Sequence, residues 1–305
     1  MRALVKSGNG VVLRHDLPMP VPQLGEVLIR VHAFSLDASD VTVSLVPTDR
    51  IVGKGAAGKI VAVGEDVPAW RLGDLVIVDP GLGSRQGTSG LFGVDRDGAA
   101  AEFIVVNAID ACPISAEVPT ETLPLLAFYY SLAERVLTWA RLYPDETILI
   151  LGADTPVGIA SVELAQRRNA KVTVQAHRDI SDFSSGILNG VIRAIEDHRG
   201  ATFDVVADFR SVPTYSDCIH LLREEGVYVS RNGDVVKPPS EPVTALVDVD
   251  IFTAETLEHI ARMAESGVLE PRSPMVILMR DVEEQLRRID LANRLDPLIV
   301  KVDDH

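Results

Sequence analysis

Residues Glu146-Thr-Ile-Leu-Ile-Leu-Gly152-Ala-Asp-Thr-Pro-Val-Gly158 decide the fold. The apolar run is short and unbroken by polar residues, the pattern of a strand buried on both faces of a parallel sheet. A glycine ends it. Pro156 suits the first turn of a helix, where its missing N–H costs nothing. The helix is predicted over 157–168, with Val157, Ala160, Ser161, Leu164 and Ala165 on one face. Lys171–Ala176 is then the next strand.

Reading outward, the same alternation continues. Strands are predicted at 203–209, 226–230 and 244–252, with helices at 215–224 and 254–266. Repeated β-α-β units imply a doubly wound parallel sheet with helices on both faces. Pro119–Leu142 reads as one or two helices leading into it. The tail reads as a strand at 274–279, a helix at 281–294 and a strand at 298–302. Upstream the chain has another character, with short strands between Gly and Pro turns. Arg2–Lys6 and Val11–Asp16 pair across 7–10, Glu26–Leu36 is an alternating β-branched strand, and further strands fall at 58–64, 75–78 and 100–106. Pro80–Gly98 is a glycine-rich loop.

A net charge of −15 argues against nucleic acid or an anionic membrane as the main partner, because phosphates are repelled. Cys112 and Cys218 lie far apart and outside any CxxC, which fits a reducing compartment. The opening Met-Arg-Ala-Leu-Val-Lys-Ser-Gly has no apolar signal core, and no apolar run reaches bilayer length. A cytoplasmic protein with a small-molecule substrate is expected.

Six segments in chain order resemble the medium-chain dehydrogenase/reductase superfamily: Leu24-Gly-Glu-Val-Leu-Ile-Arg-Val-His-Ala33, Gly58-Lys-Ile-Val-Ala-Val-Gly-Glu-Asp-Val67, Arg71-Leu-Gly-Asp74, Ala101-Glu-Phe-Ile-Val-Val106, Asp145–Gly152 with Val157-Gly158, and Glu265-Ser-Gly-Val-Leu-Glu-Pro271. The resemblance implies an α/β protein: a GroES-like β-barrel substrate domain over 1–117 and 271–305, and a Rossmann doubly wound parallel-sheet domain over 118–270. It also implies a homodimer joined through sheet edges, for which the apolar run Val243–Phe252 is the candidate.

Zinc-dependent members carry an early cysteine and a Gly-His-Glu motif. Here the early segment is Ala33-Phe-Ser-Leu-Asp-Ala-Ser-Asp40, and the motif position reads Gly53-Lys54-Gly55. A catalytic zinc needs three protein ligands around an open position, so no zinc and no other metal is expected. The chain then resembles the zinc-free quinone and enoyl reductases, which pass hydride from NADPH to a C=C bond conjugated to a carbonyl.

The family's phosphate turn needs small residues for close backbone approach. Ala153 and Gly158 fit its first and third positions, Thr155 takes the second, Val157 follows, and Asp154 brings charge to where phosphate would sit. Two readings stay open: Thr155 binds phosphate through hydroxyl and amide, or the turn only joins strand to helix. Beyond the next strand, His177 and Arg178 point to a 2′-phosphate and hence NADP, with Asp179 as the competing signal for NAD. Residues 180–200 match the family poorly. Ser230 and Asn232 are placed to contact ribose or nicotinamide, or belong to an Asn-Gly turn.

Lys54 is a candidate to polarise a carbonyl or donate a proton, against the blander reading of a solvent-facing loop lysine. Asp37 stands where the reductases carry asparagine, and Ala38 where a tyrosine donor would stand; Asp40 reads as structural. Tyr129 and Tyr130 offer substrate hydroxyls or a packed helix face, and Tyr130 joins Lys54 and Asp37 in the candidate catalytic set. The expected activity is zinc-independent, NADPH-dependent reduction of a quinone, enone or enoyl thioester. The rival is a non-redox member whose dinucleotide site is lost, acting as a cyclase, isomerase or lyase, or only binding.

Overall fold

The computed structural model describes residues 1–8, 10–42, 48–81, 90–115, 117–180, 188–192, 200, 202–210, 215–230, 244–247, 254–269, 271, 274–291 and 294–303. Two compact units emerge, Met1–Ser131 with Ile251–His305, and Leu132–Asp250.

The first unit opens with strands β1 (Ala3–Ser7) and β2 (Gly10–Arg14), paired antiparallel from Ala3↔Arg14 to Ser7↔Gly10. Strand β3 (Glu26–Leu36) is the hub, because its long β-branched run can be paired along both edges. It is followed by helix α1 (Ala38–Thr42), β4 (Ala56–Val63), β5 (Leu75–Val78), β6 (Phe103–Asn107) and β7 (Ala111–Pro113). Strands β4 and β6 both run antiparallel to β3. The core holds Val27, Ile29, Val31, Phe34, Val76 and Ile104. A single turn, α2 (Leu123–Leu125), leads into a π-helical turn at Leu126–Tyr130, all of it buried.

The second unit takes in helix α3 (Ser131–Trp139) from Leu132 onward. Then come β8 (Thr147–Leu151), α4 (Pro156–Arg167), β9 (Lys171–Gln175), β10 (Gly190–Ile192), β11 (Phe203–Asp208), α5 (Tyr215–Cys218), β12 (Leu222–Ser230) and β13 (Thr244–Val247). All six strands are parallel, in the order β10-β9-β8-β11-β12-β13. This is the expected Rossmann order, in which the winding reverses between β8 and β11. Leu149, Leu151, Val206 and Tyr228 form its core.

The chain returns to the first unit through α6 (Ala254–Glu265), β14 (Met275–Leu278), α7 (Val282–Leu286) and β15 (Leu298–Lys301). Strand β15 runs parallel to β14 and antiparallel to β3. The division at 131/132 and 250/251 differs from the 117/118 and 270/271 boundaries read from sequence. Here α2 packs on β3 and β4, and α6 on β7, so both count with the strands they cover.

Two helices are shorter than their sequence pattern suggests. The segment expected to be helical over 281–294 keeps one turn in α7, where Val282 alone is fully buried and supports it. The one expected over 215–224 is α5 and a 3₁₀ turn, because Leu222 already pairs with Phe203 in the sheet. Among the described residues no helix is long and apolar enough to cross a membrane.

Candidate functional site

The end of β3 and the Gly53–Gly55 loop build a buried cluster of charge in the first unit. Asp37 sits between β3 and α1, and its N–H donates to Asp40 Oδ2 at 2.9 Å. Asp37 Oδ1 accepts from Ser39 N at 2.8 Å and Ser39 Oγ at 2.5 Å, a local turn that aspartate favours. Lys54 is not solvent-facing, as the blander reading had it: its side chain is 4% exposed. Its Nζ donates to Ser39 Oγ and to Asp40 Oδ1, each at 2.8 Å, lies 3.7 Å from Asp37 Oδ1, and stands 5.8 Å over the Phe128 ring. Tyr129 completes the group by donating its hydroxyl to Asp37 Oδ2 at 2.9 Å.

Of the residues the sequence nominates, the structure therefore brings Lys54, Asp37 and Tyr129 together. Tyr130 is buried in the same π turn. The partner set of Lys54 also changes its role, since its N–H bonds go to oxygens of the chain. Burial pushes the Asp37 carboxyl up, but the Lys54 ammonium, Ser39 and Tyr129 outweigh it and hold it at about 2. Burial raises the Asp40 carboxyl, and the nearby Lys54 charge only partly offsets this. Burial, then the charge of Asp37, raises Tyr129 well above its ordinary value, so the phenol stays protonated.

Zinc does not fit this donor set. A primary ammonium stands among the oxygens, where a second cation would be repelled. Gly55 also cannot carry a ligating side chain, because a Cβ there would lie 2.2 Å from Pro124 O and 2.9 Å from Ser35 Oγ. Among the described residues no group of three or more His, Cys, Asp or Glu is placed to hold a metal. Burial pushes the thiols of Cys112 and Cys218 up to about 12, which leaves both inert as nucleophiles.

In the second unit the β8–α4 turn lies at the carboxyl edge of the sheet. Gly152 adopts φ +70°, a left-handed conformation that favours glycine. Gly158 packs so closely that a Cβ would lie 2.3 Å from Gly152 O. The Thr155 hydroxyl accepts from Gly158 N at 3.1 Å and donates to Gly152 O at 2.8 Å, which makes it the N-cap of α4. Ala153 is buried, with its N–H on Gln175 O at 3.0 Å. Val157 lies in the first helical turn, where N–H groups have no intrahelical partner.

The Asp154 carboxylate has backbone partners beyond β9. Its Oδ2 accepts the backbone N–H groups of His177 and Arg178 at 3.1 Å each, and Arg178 Nη2 donates to Asp154 O at 2.7 Å. The carboxylate is thereby tied to the end of β9. On the other side, Arg210 clasps Asp208 through Nε at 2.9 Å and Nη2 at 2.6 Å, and Tyr228 donates to the same carboxylate at 2.9 Å. The sequence pattern ends a strand at 209 and gives no signal for Arg210 beyond its place just past that strand. Ser230 is buried at the end of β12; Asn232 lies outside the described residues.

A glycine turn at the winding reversal of a six-stranded parallel sheet, joined in one chain to a mostly antiparallel seven-stranded sheet, defines the two-domain class of GroES-like and Rossmann proteins. Residues 23–116 match the alcohol dehydrogenase GroES-like domain family. The chain is 28% identical to an L-threonine 3-dehydrogenase of Anaeromyxobacter sp. (strain Fw109-5), over 67% of this chain and 66% of that relative. It is 27% identical to an NAD-dependent alcohol dehydrogenase of Sulfurisphaera tokodaii, over 95% of this chain and 96% of that relative. A cobalt- and zinc-bound thermostable alcohol dehydrogenase from Pyrobaculum aerophilum superposes with a TM-score of 0.81 at 24% identity, covering 99% of both chains. By these matches the chain is similar to the medium-chain dehydrogenase/reductase superfamily, and it shares the GroES-like and Rossmann fold.

Proposed function

We propose that the protein is a zinc-independent, NADP-dependent oxidoreductase that reduces a conjugated carbonyl: a quinone, an enone or an enoyl thioester. The observation that carries this reading is the β8–α4 turn, where Gly152 and Gly158 keep strand and helix close enough for a pyrophosphate to meet backbone N–H groups. The dehydrogenase names of its relatives support redox chemistry. The bound dinucleotide would supply the hydride. Ala153, Thr155, Val157 and Gly158 shape its phosphate seat, Thr155 by capping α4. Arg178, 36% exposed, offers a cation to a 2′-phosphate, and Ser230 and Asn232 are assigned to the nicotinamide side. Asp37, Ser39 and Tyr129 form the hydroxyl-lined acceptor site in the first unit. Strand β13, at the end of the described sheet, is assigned as the homodimer edge.

Fluorescence titration of the purified protein with NADPH and NADH tests this. Binding of NADPH at about micromolar Kd, tighter than NADH, is the expected result, followed by NADPH oxidation with quinones or enones. Absence of binding by either dinucleotide would overturn it. One observation favours the non-redox alternative: the Thr155 hydroxyl is already spent on helix and turn, so it cannot also serve phosphate without uncapping α4. Loss of both dinucleotides with the fold intact is that alternative's signature.

A further inference from the structure

The Asp37–Ser39–Asp40 oxygens form a cage around one positive charge. Asp40 Oδ1 and Ser39 Oγ each lie 2.8 Å from Lys54 Nζ, Asp37 Oδ1 lies 3.7 Å away, and the Phe128 ring closes one side. The Lys54 and Asp40 side chains are 4% and 2% exposed. Taking an ammonium and two carboxylates out of water is costly, and only their mutual attraction and hydrogen bonds repay it. Such a cage has a use for a cation at its centre, and oxygen donors of this kind also suit hard divalent metals.

We infer that Lys54 is a built-in cation that takes the place of a bound metal: its ammonium organises Asp37, Ser39 and Asp40, orients the Tyr129 hydroxyl through Asp37, and keeps divalent cations out. Lys54 is then a positioning residue, not the group that polarises the substrate. The parts of the cluster that reach solvent are the half-buried Asp37 and Ser39. This inference deepens the zinc-independent part of the proposed function but does not depend on NADPH binding, so the two can fail separately.

The test uses the full-length wild-type protein and Lys54→Ala, each incubated with Mn²⁺ and separately with Zn²⁺, desalted, and analysed for metal by mass spectrometry and, for manganese, by electron paramagnetic resonance. The wild type is expected to retain no stoichiometric metal and to keep its melting temperature in either ion. Lys54→Ala is expected to melt lower by on the order of 10 °C and to take up about one Mn²⁺ per chain, which restores its melting temperature. Adding Asp40→Asn to that variant is expected to abolish the uptake. Stoichiometric zinc in the wild type would overturn the inference, as would a Lys54→Ala protein that binds no metal and melts like the wild type. If Lys54→Ala does not fold unaided, it is refolded with and without Mn²⁺: recovery that requires the metal supports the inference, and an outcome indifferent to metal overturns it.

Discussion

The Lys54 cluster and the β8–α4 edge both pair basic with acidic side chains, but at different depths. Lys54 and Asp40 are 4% and 2% exposed, whereas Arg178 and Arg210 are 36% and 23% exposed over carboxylates, Asp154 and Asp208, that are 10% and 0% exposed. Depth changes what a pair is for. A buried pair is locked, because breaking it strands a charge in a poor solvent. A guanidinium that reaches solvent can turn to a ligand phosphate where its carboxylate keeps other donors, as Asp154 does in the N–H groups of His177 and Arg178. The first unit thus has charges that shape a site, and the second has in Arg178 a charge that can turn to a ligand, while Arg210 stays on the buried Asp208.

The contrast can be broken by four measurements. Lys54→Met should lose about 3–5 kcal/mol in chemical denaturation, the largest effect expected; a loss no greater than that of Arg178→Gln would erase the distinction. Asp37→Asn should cost about 1.5–3 kcal/mol at neutral pH, since it replaces a charged acceptor of several hydrogen bonds. The Asp37 carboxyl titrates lower in the folded protein than its ordinary 3.8, so the stability it supplies is present above that pH and lost as pH falls towards about 2. Acid unfolding curves of variant and wild type should therefore converge across that window. Gly158→Val should cost about 1–3 kcal/mol by overpacking, because its Cβ would press on Gly152 O at 2.3 Å, and should weaken NADPH binding as α4 shifts. Arg178→Gln should cost less than about 1 kcal/mol of stability yet lower the preference for NADPH over NADH about tenfold, read by paired titrations.

How far the sequence discloses all this varies by region for physical reasons. Strand β3 spans the residues its alternation predicts, and the β1–β2 hairpin forms where its turn residues fall. The central strands of the parallel sheet are likewise evident, since burial on both faces leaves a continuous apolar run. Strand β10 leaves no sequence signal: at Gly190–Ile192 it is too short to carry a period, and among the described residues it pairs with β9. Lys54 reads as exposed because glycines flank it, yet those glycines allow the loop to press inward, with Gly55 against Pro124. The partner oxygens of Lys54 sit 14 and 15 residues earlier in the chain, a separation that no local pattern reports. Arg210 carries no sequence signal because it falls just past a strand, where sequence pattern ends and side-chain geometry begins.

The choice between Tyr129 and Tyr130 rests on the π turn at Leu126–Tyr130, where Ser131 N–H reaches back five residues to Leu126 O. A π turn is an α-helix holding one surplus residue, and each residue turns a helix by about 100°. The helix therefore works as a dial advanced by one notch, and the setting decides which tyrosine faces Asp37. Deleting Ala127 would return the dial by that notch, carrying the Tyr129 hydroxyl off its carboxylate without altering any side chain in the cluster.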